Sequence, residues 1–209
     1  MASMVPIRIA VLGAGNIGGT LGRKWVAAGH QVAFGVTDPG STRAQTLRTD
    51  VGEAATIGGV TEALERVEVA VLAVPGGAVD ELIRTHGGQL DGKIVVDAAN
   101  RMGGGIMNSV TALSAAAPTA HVYRAFNSLG WENFAEPVFN GVQADLFFAG
   151  PDGASRETME RLIGDIGLRP VYTGGPETVG VVDAVASLWF SLALGQRKGR
   201  HLAFKMLTP

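Results

Sequence analysis

Apolar and polar positions along the chain fall into short, fully apolar runs separated by segments of helical period. Ile7–Leu12 is a β-branched run that ends in glycine and predicts a first strand. In 17–28, Ile17, Leu21, Trp25 and Ala28 share one face, which predicts a helix stopped by Gly29. The same reading predicts strands at 32–36, 55–60, 67–74, 94–98, 121–126, 144–149 and 170–172. Helices are predicted at 41–47, from Thr61 to Arg66, at 78–86, 109–117 and 155–166, and an apolar helix at 179–194. Ser41 or Thr42, Thr61 and Ser155 stand as their N-caps. Asn127–Gly141, with Trp131, Phe134 and Phe139, carries no period and reads as a long irregular stretch.

Strand and helix patterns alternate, and the strands are apolar on both sides. Both features point to repeated βαβ units and an α/β fold: one doubly wound, Rossmann-type parallel sheet covered on both faces. The expected organisation is a single nucleotide-binding domain over residues 1–209. Residues 176–209 form a C-terminal helical extension that packs on the sheet rim or on a second subunit. Val179–Gly195 is apolar, but Asp183 and Ser187 interrupt it, and it falls short of the roughly 20 residues a membrane span needs. It reads as a buried helix. With no leader-like N-terminus, the expected location is cytoplasmic.

Composition narrows the chemistry. Of 209 residues, 46% are hydrophobic and the net charge is −2, so a large core is within reach and neither a nucleic-acid surface nor a polybasic membrane face is indicated. There is no cysteine, which removes thiol catalysis, cysteine-held zinc and iron–sulfur clusters. The four histidines, His30, His86, His121 and His201, are far apart in sequence, and no metal site is expected.

One motif carries specific chemistry. Gly13-Ala14-Gly15-Asn16-Ile17-Gly18 is a G-x-G-x-x-G that follows a strand and opens a helix. In that context the first glycine makes the turn, the second lets a diphosphate approach the backbone, and the third lets helix and strand pack closely. The N–H groups of Asn16 and Ile17 would face phosphate oxygens. After the second strand the chain reads Val36-Thr37-Asp38-Pro39-Gly40-Ser41-Thr42-Arg43. No acid ends the strand itself, and Thr37, Ser41 and Arg43 could gather a 2′-phosphate, so NADP(H) is favoured. Asp38 keeps NAD(H) open, since it could bind a ribose hydroxyl or serve as turn chemistry.

In an open parallel sheet the ligand lies across the carboxyl ends of the strands. Here those ends are Val74-Pro75-Gly76, Ala98-Ala99-Asn100 and Phe126-Asn127-Ser128. Small residues and two amides suit a flat ring laid close to the backbone. Val74, Pro75, Ala99 and Asn100 are therefore expected at the cofactor, and Asn127 and Ser128 at the substrate. No catalytic acid–base set is evident: the Tyr-x-x-x-Lys pattern is missing, and Tyr123, His121 and Tyr172 are the few groups able to donate a proton. Direct hydride transfer between two stacked rings needs no such group. Trp131, Phe134 and Trp189 could line a ring pocket or pack in the core. The basic tail 197–200 could meet an acidic substrate tail or simply be a solvated helix end.

The glycine loop, Val71-Leu72-Ala73-Val74-Pro75, Asp97-Ala98-Ala99-Asn100, Arg124-Ala125-Phe126-Asn127-Ser128-Leu129-Gly130 and Ala203-Phe204-Lys205-Met206-Leu207 together resemble the coenzyme F-420-dependent NADP oxidoreductase family over essentially the whole chain. The resemblance implies NADP(H) contacts at Gly13, Gly15, Asn16, Ile17 and Pro75, with Asn100 and Asn127 beside the rings. It implies hydride transfer between nicotinamide and a stacked deazaflavin, and a homodimer in which C-terminal helices meet. The function expected is an oxidoreductase moving hydride between NADP(H) and a planar acceptor, F-420 or a flavin. Two other readings stay open: an NADPH-dependent reductase of a small carbonyl, imine or quinone, and a non-catalytic nucleotide-binding redox sensor.

Overall fold

The computed structural model describes residues 5–103 and 105–209. The elements are β1 (Arg8–Leu12), α1 (Asn16–Ala27), β2 (Gln31–Gly35), α2 (Thr42–Val51), β3 (Ala55–Gly58), α3 (Val60–Ala63), β4 (Val69–Leu72), α4 (Val79–His86), β5 (Ile94–Asp97), α5 (Val110–Ala116), β6 (His121–Arg124), α6 (Trp131–Ala135), β7 (Val138–Phe139), β8 (Val142–Gln143), β9 (Asp145–Phe148), α7 (Ala154–Asp165), β10 (Arg169–Tyr172) and α8 (Val179–Phe190). The first six strands form one parallel sheet in the order β3-β2-β1-β4-β5-β6, the doubly wound Rossmann order expected from the sequence. The order reverses between β1 and β4, and a ligand cleft opens at that point.

Alternation within each strand shows why both faces must be covered. Ile9 and Val11 of β1 and Val69 and Val71 of β4 enter a core with Leu21, Trp25 and Phe34. Ala10, Leu12, Ala70 and Leu72 enter a second core with Leu82, Leu113 and Val182 on the opposite face. Strands β9 and β10 pair with each other in parallel, and an antiparallel bridge between Arg124 and Ala149 joins them to the sheet edge. Two side chains pin α7 to the start of the fold. The Trp25 indole donates to the Leu162 carbonyl (3.0 Å), and buried His30 accepts the Ile7 N–H and meets Asp165 at 2.8 Å.

Several local expectations are corrected. The stretch 127–141 is not irregular: it holds α6 and β7, the first strand and turn of a β7–β8 hairpin that closes at Gln143. Thr61 does not cap α3, whose N-cap is Gly59, and Ser155 does not cap α7, whose N-cap is Gly153. The Ser155 hydroxyl lies 2.7 Å from that of Tyr123 instead. The apolar C-terminal helix is only half buried. Val182, Ala186 and Trp189 face the core, while Val181, Leu188 and Leu194 are 53%, 50% and 50% exposed. By length and composition alone the 176–195 segment could cross a membrane. Its inner face is nevertheless part of the core, and Asp183 is bonded inside the fold.

Beyond a π-type turn at Ser191–Gly195 the chain runs back across the molecule as a strap. Asp145 holds it: its backbone N–H donates to the Phe204 carbonyl (3.0 Å), and its buried carboxylate accepts from the Met206 N–H (2.6 Å), Lys205 Nζ (3.1 Å) and Arg169. Burial alone would push this carboxyl up, but Arg169, the Met206 N–H and Lys205 outweigh it and hold it below the ordinary carboxylate range. The stabilisation is therefore complete above the unfolded value near about pH 4 and is lost as pH falls through the depressed one. Asp145→Asn should cost on the order of 1–3 kcal/mol in urea unfolding at pH 7, less than a fully buried pair because Arg169 and Lys205 can turn to water. The difference between variant and native protein should shrink as the medium is acidified below that value.

Candidate active site

The cleft begins at the loop between β1 and α1. Gly13 has φ +109°, and a Cβ there would lie 2.6 Å from the Ala73 carbonyl oxygen, so the turn requires glycine. A Cβ on Gly18 would overlap the Gly13 carbonyl oxygen. Gly15 is different: its φ is −71°, and no atom of the protein lies within 4 Å of where a Cβ would stand. Side-chain-free space is thus kept at the mouth of α1. The amides of Asn16, Ile17 and Gly18 precede the first helical hydrogen bond, from Gly19 N–H to the Gly15 carbonyl (2.8 Å). No side chain caps this helix, and its first turn holds no acid. Free N–H groups at the positive end of a 12-residue helix, beside open space, fit a diphosphate.

The cleft has a volume of about 1190 Å³, above the roughly 300–1,000 Å³ of a pocket for one drug-sized ligand. At its far end lie Thr37, Asp38, Ser41 and Arg43. Ser41 accepts from the Ala44 N–H as the cap of α2 and donates to the Asp38 carbonyl (2.8 Å). The Asp38 carboxylate is spent locally, accepting the Gly40 N–H at 2.9 Å in a tight turn. Arg43 is exposed and makes no hydrogen bond or ion pair with the described residues.

At the other end a smaller pocket of about 230 Å³ opens over the carboxyl ends of β4, β5 and β6. Val74, Pro75, Ala99, Asn100 and Asn127 line it, and Trp189 and Arg200 close it from the strap side. Beneath it lies Arg124, with no exposed surface. Its Nε donates to Asp183 Oδ1 (2.8 Å), its Nη1 to the carbonyls of Asp97 (3.0 Å) and Ala99 (2.5 Å), and its Nη2 to Asn100 Oδ1 (2.6 Å). Asn100 Nδ2 in turn donates to the Asn127 carbonyl (2.8 Å). Asp97, also fully buried, accepts from the amides of Ser109 (2.6 Å) and Ala99 (3.2 Å). Burial raises the Asp97 carboxyl, and the Arg124 charge pulls the other way. The chain turns sharply at Phe126, which holds φ +60° between the edges of Trp25 and Phe134 and so delivers Asn127 to the pocket wall.

Residues 8–101 match the model of the family described as NADP oxidoreductase, coenzyme F420-dependent. The match runs from β1 to just past β5, under half of the chain, and supports an NADP-dependent oxidoreductase. Among solved structures it is similar to a protein of Arthrobacter sp. FB24 named as a candidate F420-dependent NADP-reductase, at 22% identity over 97% of this chain and 100% of the other, with a TM-score of 0.82. A hypothetical protein of Sinorhizobium meliloti matches at 25% identity over 97% and 96%, TM-score 0.70. An imine reductase of Myxococcus stipitatus in complex with NAD+ matches at 19% identity over 93% and 62%, TM-score 0.66. These structural likenesses bear on the fold.

Most positions singled out in the oxidoreductase's sequence stand on one continuous wall. Gly13, Gly15, Asn16, Ile17, Thr37, Arg43, Val74 and Pro75 line the large cleft, and Ala99, Asn100 and Asn127 the small pocket. Ser128 is buried behind the wall, its hydroxyl has no partner among the described residues, and it is not among the residues lining either cavity. Phe134 is wholly in the core, whereas Trp131 and Trp189 line cavities. The sequence reading left Arg200, in the basic tail 197–200, open between contact with an acidic substrate tail and a solvated helix end. It is not a solvated helix end: Glu132 holds it at 2.6 Å, it lies over the Trp189 ring, and it borders both cavities. The sequence reading missed Arg124 and Asp183 as partners; the polar break at Asp183 in an apolar helix was the one available signal.

The contrast between glycines is testable. Gly15→Val should leave unfolding free energy within about 0.5 kcal/mol of native, because the side chain enters open space. It should weaken NADPH binding by fluorescence titration at least about tenfold, the equivalent of 1.4 kcal/mol. Gly18→Val should instead destabilise the fold itself.

Proposed function

We propose that this oxidoreductase moves hydride between NADP(H) and a planar ring acceptor, a deazaflavin of the F-420 type or a flavin, held in the small pocket. One observation carries the reading: among the described residues, Arg200 is the only ionisable one on that pocket's wall. The groups that might have protonated a carbonyl are engaged elsewhere. Tyr123 OH donates to the Pro151 carbonyl (2.5 Å), Tyr172 OH to the Gly150 carbonyl (2.9 Å), and His121 is exposed at the opposite end of β6. Burial raises the Tyr123 hydroxyl further from use as an acid.

Reduced nicotinamide supplies the hydride. The chain's own residues then bind, orient and exclude water. The Asn16 and Ile17 amides would hold the diphosphate, Thr37 and Arg43 the 2′-phosphate, and Val74, Pro75 and Ala99 the flat face of the ring. Arg200 would offer N–H donors to carbonyl or anionic groups of the acceptor.

Stopped-flow mixing with NADPH and NADH in turn, offering deazaflavin coenzyme or free flavin, tests this. Rapid transfer from NADPH to a ring is expected. Tight NADPH binding without transfer to either ring, together with turnover of a cyclic imine, would overturn it in favour of a small-substrate reductase. Arg43→Ala should raise the Kd for NADPH about 10–100-fold, the loss of one charge-assisted contact, and leave that for NADH unchanged. If NADPH affinity is unmoved, Arg43 does not read the 2′-phosphate.

The exposed apolar face of α8 and the π-type turn after it, with Val181, Leu188 and Leu194, is inferred to meet a second copy of the chain. Leu188→Arg should then convert a dimer to a monomer in light scattering after size-exclusion chromatography; native protein that already runs as a monomer would contradict this.

A further inference from the structure

Three charges stand behind the small pocket, and they do not cancel. Arg124 and Asp97 are wholly buried, and their side chains approach to 3.4 Å. Asp183, whose side chain is 14% exposed, meets Arg124 Nε at 2.8 Å. A guanidinium is always charged. Among the described residues the oxygens of both carboxyl groups meet only donors, the surroundings that suit a carboxylate and leave a carboxyl O–H without an acceptor. Asp97 has the amides of Ala99 (3.2 Å) and Ser109 (2.6 Å). Asp183 has Nδ2 of Asn127 (3.3 Å) and of Asn108 (2.7 Å). Two carboxylates against one guanidinium leave one negative charge over. The neighbouring ion pairs do not remove it, because Arg101 is matched by Asp80 (2.9 Å) and Arg200 by Glu132 (2.6 Å).

The surplus lies one side chain behind the pocket wall. Asn100 and Asn127 line the pocket and bond the cluster directly, Asn100 Oδ1 accepting from Arg124 Nη2 (2.6 Å) and Asn127 Nδ2 donating to Asp183. These amides carry no charge that would cancel the field, and salt screens interior charges weakly. A unit charge at a separation on the order of 10 Å, in an effective dielectric of about 20, shifts the binding of an ion roughly tenfold. A nicotinamide responds to such a field in one redox state alone: its oxidised ring is a cation and its reduced ring is neutral.

We propose that Asp183, acting through space from behind the wall, makes the small pocket favour the oxidised nicotinamide over the reduced one. Bound NADPH is then a stronger hydride donor than free NADPH, and the protein is set to reduce its acceptor. Asp183 touches no ligand in this scheme. Its charge is the one to remove, because Asp97 balances Arg124. The inference rests on the preceding reading in placing the nicotinamide in this pocket, and not on which acceptor takes the hydride.

Calorimetric titration of the whole protein with NADP+ and with NADPH, with no acceptor present, tests this. The two forms differ only at the ring, so the ratio of their Kd values within one protein cancels any general loss of affinity. Native protein should bind NADP+ more tightly than NADPH. Asp183→Asn should cut that preference about 3–30-fold, which moves the bound couple by about 15–45 mV at roughly 30 mV per tenfold for two electrons. Asp183→Glu keeps the charge and should hold the ratio within about twofold, even where both Kd values rise. A ratio unchanged in Asp183→Asn would overturn the proposal. So would a ratio lost equally in Asp183→Glu, since shape and not charge would then be at work. NADPH bound by native protein as tightly as NADP+ would overturn it whether or not the asparagine variant folds. Failure of the hydride-transfer reading registers separately, as no transfer to either ring in the stopped-flow assay, and leaves this ratio to be read.

Discussion

A single buried guanidinium holds the reacting end of this molecule together. Arg124 leaves water completely, which costs several kcal/mol for an isolated charge, and the cost is offset only because each of its three nitrogens finds oxygen partners. Those partners come from three places: the end of β5, the loop after it, and α8. Without the arginine, two carboxylates would face one another in the interior, and the ends of β5 and β6 would lose their common anchor. The pocket wall is thus a property of this ionic cluster, not of the apolar core beneath.

The two ends of the cleft solve different problems with different physics. At the α1 end the proposed binding groups are backbone amides, and the sequence must only keep side chains away, which Gly15 does. At the ring end the wall is built from amide side chains whose directions are set from below. The strap closes that end: Asp145 grips it near Phe204–Met206, the Trp189 indole donates to the Leu202 carbonyl at 2.7 Å, and Arg200 is drawn to the junction of the two cavities. A residue remote from the sheet in sequence therefore finishes a site that the sheet begins.

How much of this was legible in the sequence depended on the range of the interaction. Five of the first six strands are largely buried runs whose pattern is local, so composition and period reveal them; β3, at the sheet edge with no fully buried residue, leaves a weaker pattern. The glycine loop was equally plain, because its strand–turn–helix context spans few residues. What failed was decided at long range or by geometry too short to leave a period. The β7–β8 hairpin has two residues per strand, and α6 has five. Ser155 has the composition of a cap, yet Tyr123, 32 residues away, takes its hydroxyl. Asp183 registered only as a polar break in an apolar helix, because its partners Arg124 and Asn127 lie 59 and 56 residues earlier.

The central claim is that one continuous wall binds the dinucleotide from the α1 amides to the pocket above Arg124. A crystal structure with NADP+ tests it most directly. The account expects the diphosphate on the Asn16 and Ile17 amides, the 2′-phosphate beside Thr37 and Arg43, and the nicotinamide ring against Pro75 in the small pocket. A diphosphate bound away from α1, or a nicotinamide turned out of that pocket, would contradict it.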